Sequence, residues 1–281
     1  MFGSEYSSQP EILMDSFGDM SDDYKKKIKH KKESSLLLFL QKTYLWIFGI
    51  PEIGFQIRSL YFEDIVNAKL LNKKFKKILD AGSGIGTYSF WLAKKFPESK
   101  MLGGDVDKNK LSFSVKFAKK LGLENTSFKY FDVTRVSPDK NKYDLIVNID
   151  VLEHIENYEK VLNNFSKQLI SGGYLFIHTP QSNQKRIFKA LKKWSHEDHL
   201  HEGYSPSDLR EALHNSGFKI IVLRQTFGFF GKLAWELNHM CFKKGFVVSG
   251  LVYPFLYIIA CMDLLAPNHD GLGTAILAQK K

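Results

Sequence analysis

A chain of 281 residues, 44% hydrophobic and 25% charged, is long enough to bury a full core and is excluded from the disordered class. Its two cysteines, Cys241 and Cys261, rule out a disulfide framework or a CxxC metal knuckle and suit a reducing, cytoplasmic setting. A net charge of +10 admits nucleic acid, an anionic membrane surface or simple lysine-rich solvation as its meaning.

Residues 1–34 are polar and are predicted to be flexible. Acidic and polar residues precede any apolar run there, which does not read as a signal peptide. They hold the one dense cationic cluster, Lys25, Lys26, Lys27, Lys29, Lys31 and Lys32. Residues 35–74 are predicted as helices around a turn at 49–52, ahead of the core.

From residue 75 short apolar runs alternate with helical patterns. Strands are predicted at 76–82, 100–105, 126–132, 143–150 and 174–180. Helices are predicted at 87–96, 110–122 and 158–173, the last two closed by glycine. A helix over 205–217 starts at Ser205 with Pro206 in its first turn, and strands follow at 218–226 and 273–280. Repeated βα units imply a parallel sheet covered by helices on both faces. Residues 75–226 with 272–281 are thus assigned to one α/β domain.

The block 227–271 interrupts it. Residues 245–262, "GFVVSGLVYPFLYIIACM", carry no charge and reach the length of a membrane-span candidate. A single crossing would put the strands at 218–226 and 273–280 on opposite sides of a membrane. The block is therefore read as an apolar helical insertion: a lid over an apolar substrate, a bilayer contact, or a core extension or oligomer surface. Residues 35–50 are a candidate for the facing wall.

"ILDAGSGIGTYSF" (78–90) is a strand, a glycine turn and the start of a helix. Gly82, Gly84 and Gly86 let a nucleotide-like ligand approach the backbone. Thr87 stands where a dinucleotide fingerprint wants its third glycine. Asp80 decides the ligand's charge. Two like charges about 4 Å apart cost about 4 kcal/mol at an effective dielectric of about 20, so a carboxylate facing the crevice repels pyrophosphate and favours an ammonium. S-adenosylmethionine has an ammonium, a sulfonium and no phosphate. Asp105, at the end of the next strand, suits ribose hydroxyls better than Asp107 does. Asp132, at the end of the third, suits the adenine amino group.

These segments, with "MLGGDVD", "FKYFDVT", "YDLIVNIDVLEHIENYEKVLNNFSKQLISGGYLFIHTP" and "HEGYSPSDLREALHNSGF", resemble the class I S-adenosylmethionine-dependent methyltransferases, nearest to the ubiquinone/menaquinone-methyltransferase-like group (methyltransferase type 11). The resemblance implies a Rossmann-like, doubly wound α/β sheet of seven strands with the last antiparallel. It also implies cofactor contacts at Asp80, Ala81, Gly82, Gly84, Gly86, Asp105, Val106, Asp132, Val133, Asn148 and Ile149.

For the acceptor, His154 in "VLEHIE" is a candidate base beside the methyl position. His199, His201 and Tyr204 lie in a loop that the resemblance places over the substrate. Asp150, Glu153 and His154 together, or the HxH of 199–201, are too sparse to assign a metal. "NIDV" lacks the Asn/Asp-Pro-Pro-aromatic pattern of DNA amino-methylases, and neither cysteine has the Pro-Cys context of cytosine C5 methylases, which disfavours nucleic acid. The expectation is methyl transfer to oxygen or carbon of a small or lipid-like apolar acceptor, in the cytoplasm or at the inner face of a membrane with peripheral contact through 227–271. The alternatives are an RNA or protein methyltransferase recruited by the Lys25–Lys32 cluster, and a non-catalytic cofactor-binding module at a membrane. Oligomeric state is left open.

Overall fold

The computed structural model describes residues 52–136, 142–191, 200–244 and 246–281. The lysine cluster, the segment 35–50 and His199 lie outside them. The described chain runs α1 (Ile53–Lys69), β1 (Lys77–Ala81), α2 (Thr87–Lys95), β2 (Lys100–Asp105), α3 (Lys108–Lys120), β3 (Thr126–Tyr130), β4 (Tyr143–Ile149), α4 (Tyr158–Gln168), β5 (Leu169–Pro180), α5 (Pro206–Asn215), β6 (Phe218–Thr226), α6 (Phe229–Phe242), α7 (Phe246–Met262) and β7 (Gly273–Lys280). Seven strands form one sheet in the order β3-β2-β1-β4-β5-β7-β6. β7 is antiparallel to both of its neighbours, and the described pairings among β1 to β5 are parallel.

The sheet is buried on both faces because its strands alternate two apolar sets. Leu79, Ile146, Leu175 and Ile177 meet Val161, Leu162 and Phe165 of α4 and Leu209, Ala212 and Leu213 of α5. Ile78, Leu145, Val147 and Phe176 meet Phe62, Ile65 and Val66 of α1 and Leu92 and Ala93 of α2. Local chemistry sets the helix starts. Glu52 caps α1 by accepting from Gly54 N and Phe55 N. Ser205 caps α5 by accepting from Asp208 N, with Pro206 at its first position, as the sequence predicts.

Some boundaries differ from expectation. The helix predicted over 158–173 ends at Gln168, and β5 starts at Leu169. Tyr143 pairs with Leu169 but Leu145 pairs with Tyr174, so residues 170–173 bulge out of the ladder, with Gly172 at φ 76°. The glycine that reads as a helix stop is a strand irregularity instead. The third strand ends at Tyr130, two residues early.

α6 and α7 leave the sheet and return on the same side, because β6 and β7 pair directly from Thr226↔Gly273 to Phe218↔Lys280. They are not detached. Ile53, Ile57 and Tyr61 of α1 pack with Ala234 and Trp235 of α6 and with Tyr253, Leu256 and Ala260 of α7. A fully buried carboxylate knits the unit. Asp263 accepts from Tyr61 Oη (2.9 Å), Gly228 N (3.0 Å), Gly231 N (2.8 Å) and Asn268 Nδ2 (3.1 Å). Replacing it by alanine strands the buried Gly228 N and Gly231 N, while Tyr61 Oη and Asn268 Nδ2 keep the backbone oxygen of residue 263, so Asp263→Ala is expected to lose about 2–4 kcal/mol in urea titration. An unchanged midpoint and slope would refute this role.

Candidate functional site

The order β2-β1-β4 places a topological switch point between β1 and β4, where open α/β sheets bind ligands beyond their carboxyl ends. The turn after β1 fills it. Gly82 and Gly86 both stand at φ 85° and Gly84 at 54°, a backbone region costly to residues with a Cβ. Gly82 is also tightly enclosed, since a Cβ there would lie 2.3 Å from Val151 Cγ2. At Gly84 a Cβ would meet nothing within 4 Å, so the turn is open on that side.

Asp105 closes the rim. Its Oδ2 accepts from Gly84 N (2.8 Å) and its Oδ1 from Asp107 N (2.9 Å). An ionised carboxylate has about four acceptor sites, so two remain for a ribose diol. Asp107 caps α3 instead, accepting from Asn109 N and Lys110 N. Val106, next to Asp105, is 58% exposed and offers an apolar face of the kind an adenine ring covers. A glycine turn open at Gly84, a carboxylate with acceptor sites left over and an exposed apolar side chain together fit S-adenosylmethionine.

Asp80 sits differently from expectation. Its carboxylate does not open to the crevice; it is 1% exposed beneath the turn, with Oδ2 accepting from Ser89 Oγ at 2.6 Å. Burial raises its pKa to about 7, and the nearby Asp105 charge adds to the rise, while the bonds from Ser89 oppose it. The expectation of a carboxylate facing the crevice is corrected: Asp80 lies under the turn, where burial favours its neutral form and a nearby cation would favour the ionised one.

The other predicted contacts divide. Ala81, Val133 and Ile149 have buried side chains, so they can offer only backbone to a ligand. Asn148 is fully buried and donates Nδ2 to Ala81 O (2.6 Å), bracing β4 against β1. Its Oδ1 has no hydrogen-bond partner among the described residues. Asp132 accepts from Thr134 N (2.9 Å) and Thr134 Oγ1 (2.6 Å) and pairs with Arg135 Nε (3.1 Å). The Thr134 hydroxyl chiefly holds its pKa below the usual range, so the carboxylate stays ionised.

Beyond the end of β4 the structure brings together residues that the sequence leaves apart. Asp150 follows β4 at φ 52°, a conformation aspartate tolerates better than most residues. Its Oδ1 meets His178 Nδ1 of β5 at 2.6 Å, and its Oδ2 meets Arg58 Nε of α1 at 3.1 Å. His178 Nε2 meets Thr226 Oγ1 of β6 at 3.0 Å. The Tyr88 ring lies near Arg58, Asp150 and Asp80, and burial holds its phenol well above its usual pKa.

In the short 3-10 turn of residues 152–154, Glu153 points inward and His154 outward. Glu153 is 1% exposed; its Oε2 accepts from Thr179 Oγ1 (3.2 Å), and its Oε1 has no hydrogen-bond partner among the described residues. Burial first, and the Asp150 charge second, push its pKa well above the carboxylate range. His154 is exposed. Tyr204 donates its hydroxyl to Leu152 O (2.8 Å) and packs its ring 4.2 Å from that of Tyr158, so it braces this turn with its proton already committed. Among the described residues no group of three or more His, Cys, Asp or Glu could hold a metal ion.

Sequence inspection passes over Arg58, Tyr88 and His178 and weighs Glu153 only as a metal ligand. His178 had a signal, being a polar residue inside the apolar strand "YLFIHTP". Arg58 had none, since its partner lies 92 positions away.

Comparison with known proteins agrees with this fold. A family model described as a methyltransferase domain matches residues 56–223. Phosphoethanolamine N-methyltransferase 1 of Arabidopsis thaliana is 27% identical over 187 residues, covering 64% of this chain and 36% of that protein. The chain thus spans about a third of the length of the curated relatives it matches. Among solved structures, coclaurine N-methyltransferase bound to N-methylheliamine and S-adenosylhomocysteine aligns with TM-score 0.53 at 16% identity, covering 79% of this chain and 72% of that one. The O-methyltransferase of a trans-AT PKS multienzyme of Brevibacillus brevis, in complex with S-adenosyl-L-homocysteine, aligns with TM-score 0.53 at 15% identity, covering 79% and 71%. At these identities the structural likeness shows the fold.

The buried carboxyls make stability depend on pH. Folded Asp80 keeps its proton to about 7, whereas an unperturbed aspartate loses it near 3.8. Between those values the folded chain binds more protons than the unfolded one, so the cofactor-free protein should lose stability as pH rises through that window. Glu153 contributes in the same direction. Urea unfolding across pH should show a shallower fall for Asp80→Asn, and an identical slope in both proteins would contradict the burial argument.

Proposed function

The chain belongs to the S-adenosylmethionine-dependent methyltransferases of class I fold, and from that premise we propose that it methylates a small or lipid-like acceptor at a nitrogen or oxygen that must first give up a proton. The observation that carries this reading is Glu153, a buried carboxyl with one unpartnered oxygen, close enough to Asp150 to feel its charge. A proton acceptor works best when its pKa lies near the working pH, and burial moves Glu153 in that direction. The relatives named above are N- and O-methyltransferases.

When bound, S-adenosylmethionine supplies an electrophilic methyl group on a sulfonium. The residues of this chain then have to align, desolvate and take up a proton. Gly82, Gly84 and Asp105 would hold the nucleoside end. Ionised Asp80 would answer the positive charge of the amino-acid end from below the turn. Arg58 and His178 fix the Asp150 carboxylate at the end of β4, where it would draw in a cationic amine. Glu153 would accept the acceptor's proton. The helical layer of α1, α6 and α7, with its apolar packing, stands over this end of the sheet and suits an acceptor with an apolar body.

Purified protein incubated with S-adenosylmethionine and extracts of lipids and amines should produce a species heavier by one CH₂ unit, read by mass spectrometry. With that acceptor in hand, Glu153→Gln should lower kcat by about 100-fold or more while calorimetry shows cofactor binding retained. Unaltered turnover in Glu153→Gln would remove Glu153 from the reaction.

A further inference from the structure

α7 carries no charge from Phe246 to Met262, and its two faces have different surroundings. Tyr253, Leu256 and Ala260 are buried against α1 and α6. Val248, Leu251, Phe255, Ile258 and Met262 face outward, and Leu265 extends the row just past the helix end; their exposures run from 37% to 89%. Their spacing alternates three and four residues, which keeps them on one line along the helix. Single exposed apolar residues are ordinary on any surface; a continuous row of large ones marks a contact.

We propose that this row rests on an anionic bilayer surface, with α7 lying in the plane of the interface. Its inner face is locked into the fold through Tyr253, Leu256 and the Asp263 network, so the helix has no freedom to insert upright. No helix among the described residues is long and apolar enough to cross a membrane. A surface-lying helix needs one apolar face and nearby cations. Lys243 and Lys244, both exposed, stand just ahead of α7, and the whole chain carries +10. The same spacing would also seat a two-helix seam with a second copy. That copy, however, brings its own +10 to the contact, whereas anionic lipid neutralises the charge. The inference holds whichever atom accepts the methyl group.

Vesicle flotation of the full chain tests it. The protein should float with vesicles of phosphatidylcholine and phosphatidylserine, float weakly with phosphatidylcholine alone, and come off with added salt. A triple variant, Leu251→Ser with Phe255→Ser and Ile258→Ser, changes only outward side chains. It should lower the bound fraction about tenfold, since binding scales with the apolar area inserted. S-adenosylmethionine binding by calorimetry should stay unchanged in that variant, which separates failure of docking from failure of the methyltransferase reading. Wild-type protein left at the bottom with anionic vesicles overturns the proposal, as does a triple variant that floats like wild type.

A polarity-sensitive fluorophore at Leu251→Cys, in a chain carrying Cys241→Ser and Cys261→Ser, shows what covers the row. A blue shift only on adding anionic vesicles supports the proposal. Blue emission before any vesicle is added means that protein already covers the row, which overturns it. Light scattering then tells a second copy (a dimer) from residues 35–50 of the same chain (a monomer).

Discussion

The carboxylate of Asp150 is where four elements of this fold meet. It closes β4, takes Arg58 from α1 on one oxygen and His178 from β5 on the other, and through His178 reaches Thr226 on β6. Charge-assisted bonds at a partly dry site are stronger than their neutral counterparts and strengthen one another. Without this junction α1 would keep its apolar contacts and the ion pair of Asp64 with Arg224 of β6, but would lose its charged tie to the carboxyl end of β4. The position also explains the backbone: φ 52° turns the carboxylate toward both partners, and aspartate is one of the few residues that adopts it at modest cost.

The two halves of the crevice are built differently. The half proposed for the cofactor is largely local chain. Gly82 N and Ser83 N donate to Gly104 O, and Gly84 N donates to Asp105, so a single β-turn-helix unit and its neighbouring strand define it. The half proposed for the acceptor is assembled from side chains distant in sequence, on α1, β4, β5 and β6. A backbone-built half can serve a constant ligand, while a half built from separate elements can be altered one side chain at a time.

The α6–α7 unit joins these halves to the exterior. Its inner face is part of the core that holds α1, and Glu236 of α6 accepts from Ile187 N (2.9 Å) and Phe188 N (2.8 Å), tying the loop after β5 to the same unit. Its outer face is the apolar row on α7. One pair of helices therefore holds α1 and the loop after β5 on its inner side and presents the apolar row on its outer side.

Much of this was legible in the chain itself. Alternating apolar runs determined seven strands and their helices, because burial on both faces of a sheet demands that pattern. The glycines at 82, 84 and 86 with Asp80 and Asp105 outlined a nucleoside-type cofactor without phosphate, because turn geometry and charge act over a few residues. Tertiary structure alone decided that Asp80 lies buried beneath the turn, that Glu153 rather than His154 faces inward, that Tyr204 spends its hydroxyl on Leu152, and that Arg58 and His178 meet at Asp150. It also decided which side of α7 is covered. Orientation at a strand end and pairing across 92 positions depend on how whole elements pack, and no window of sequence carries that information.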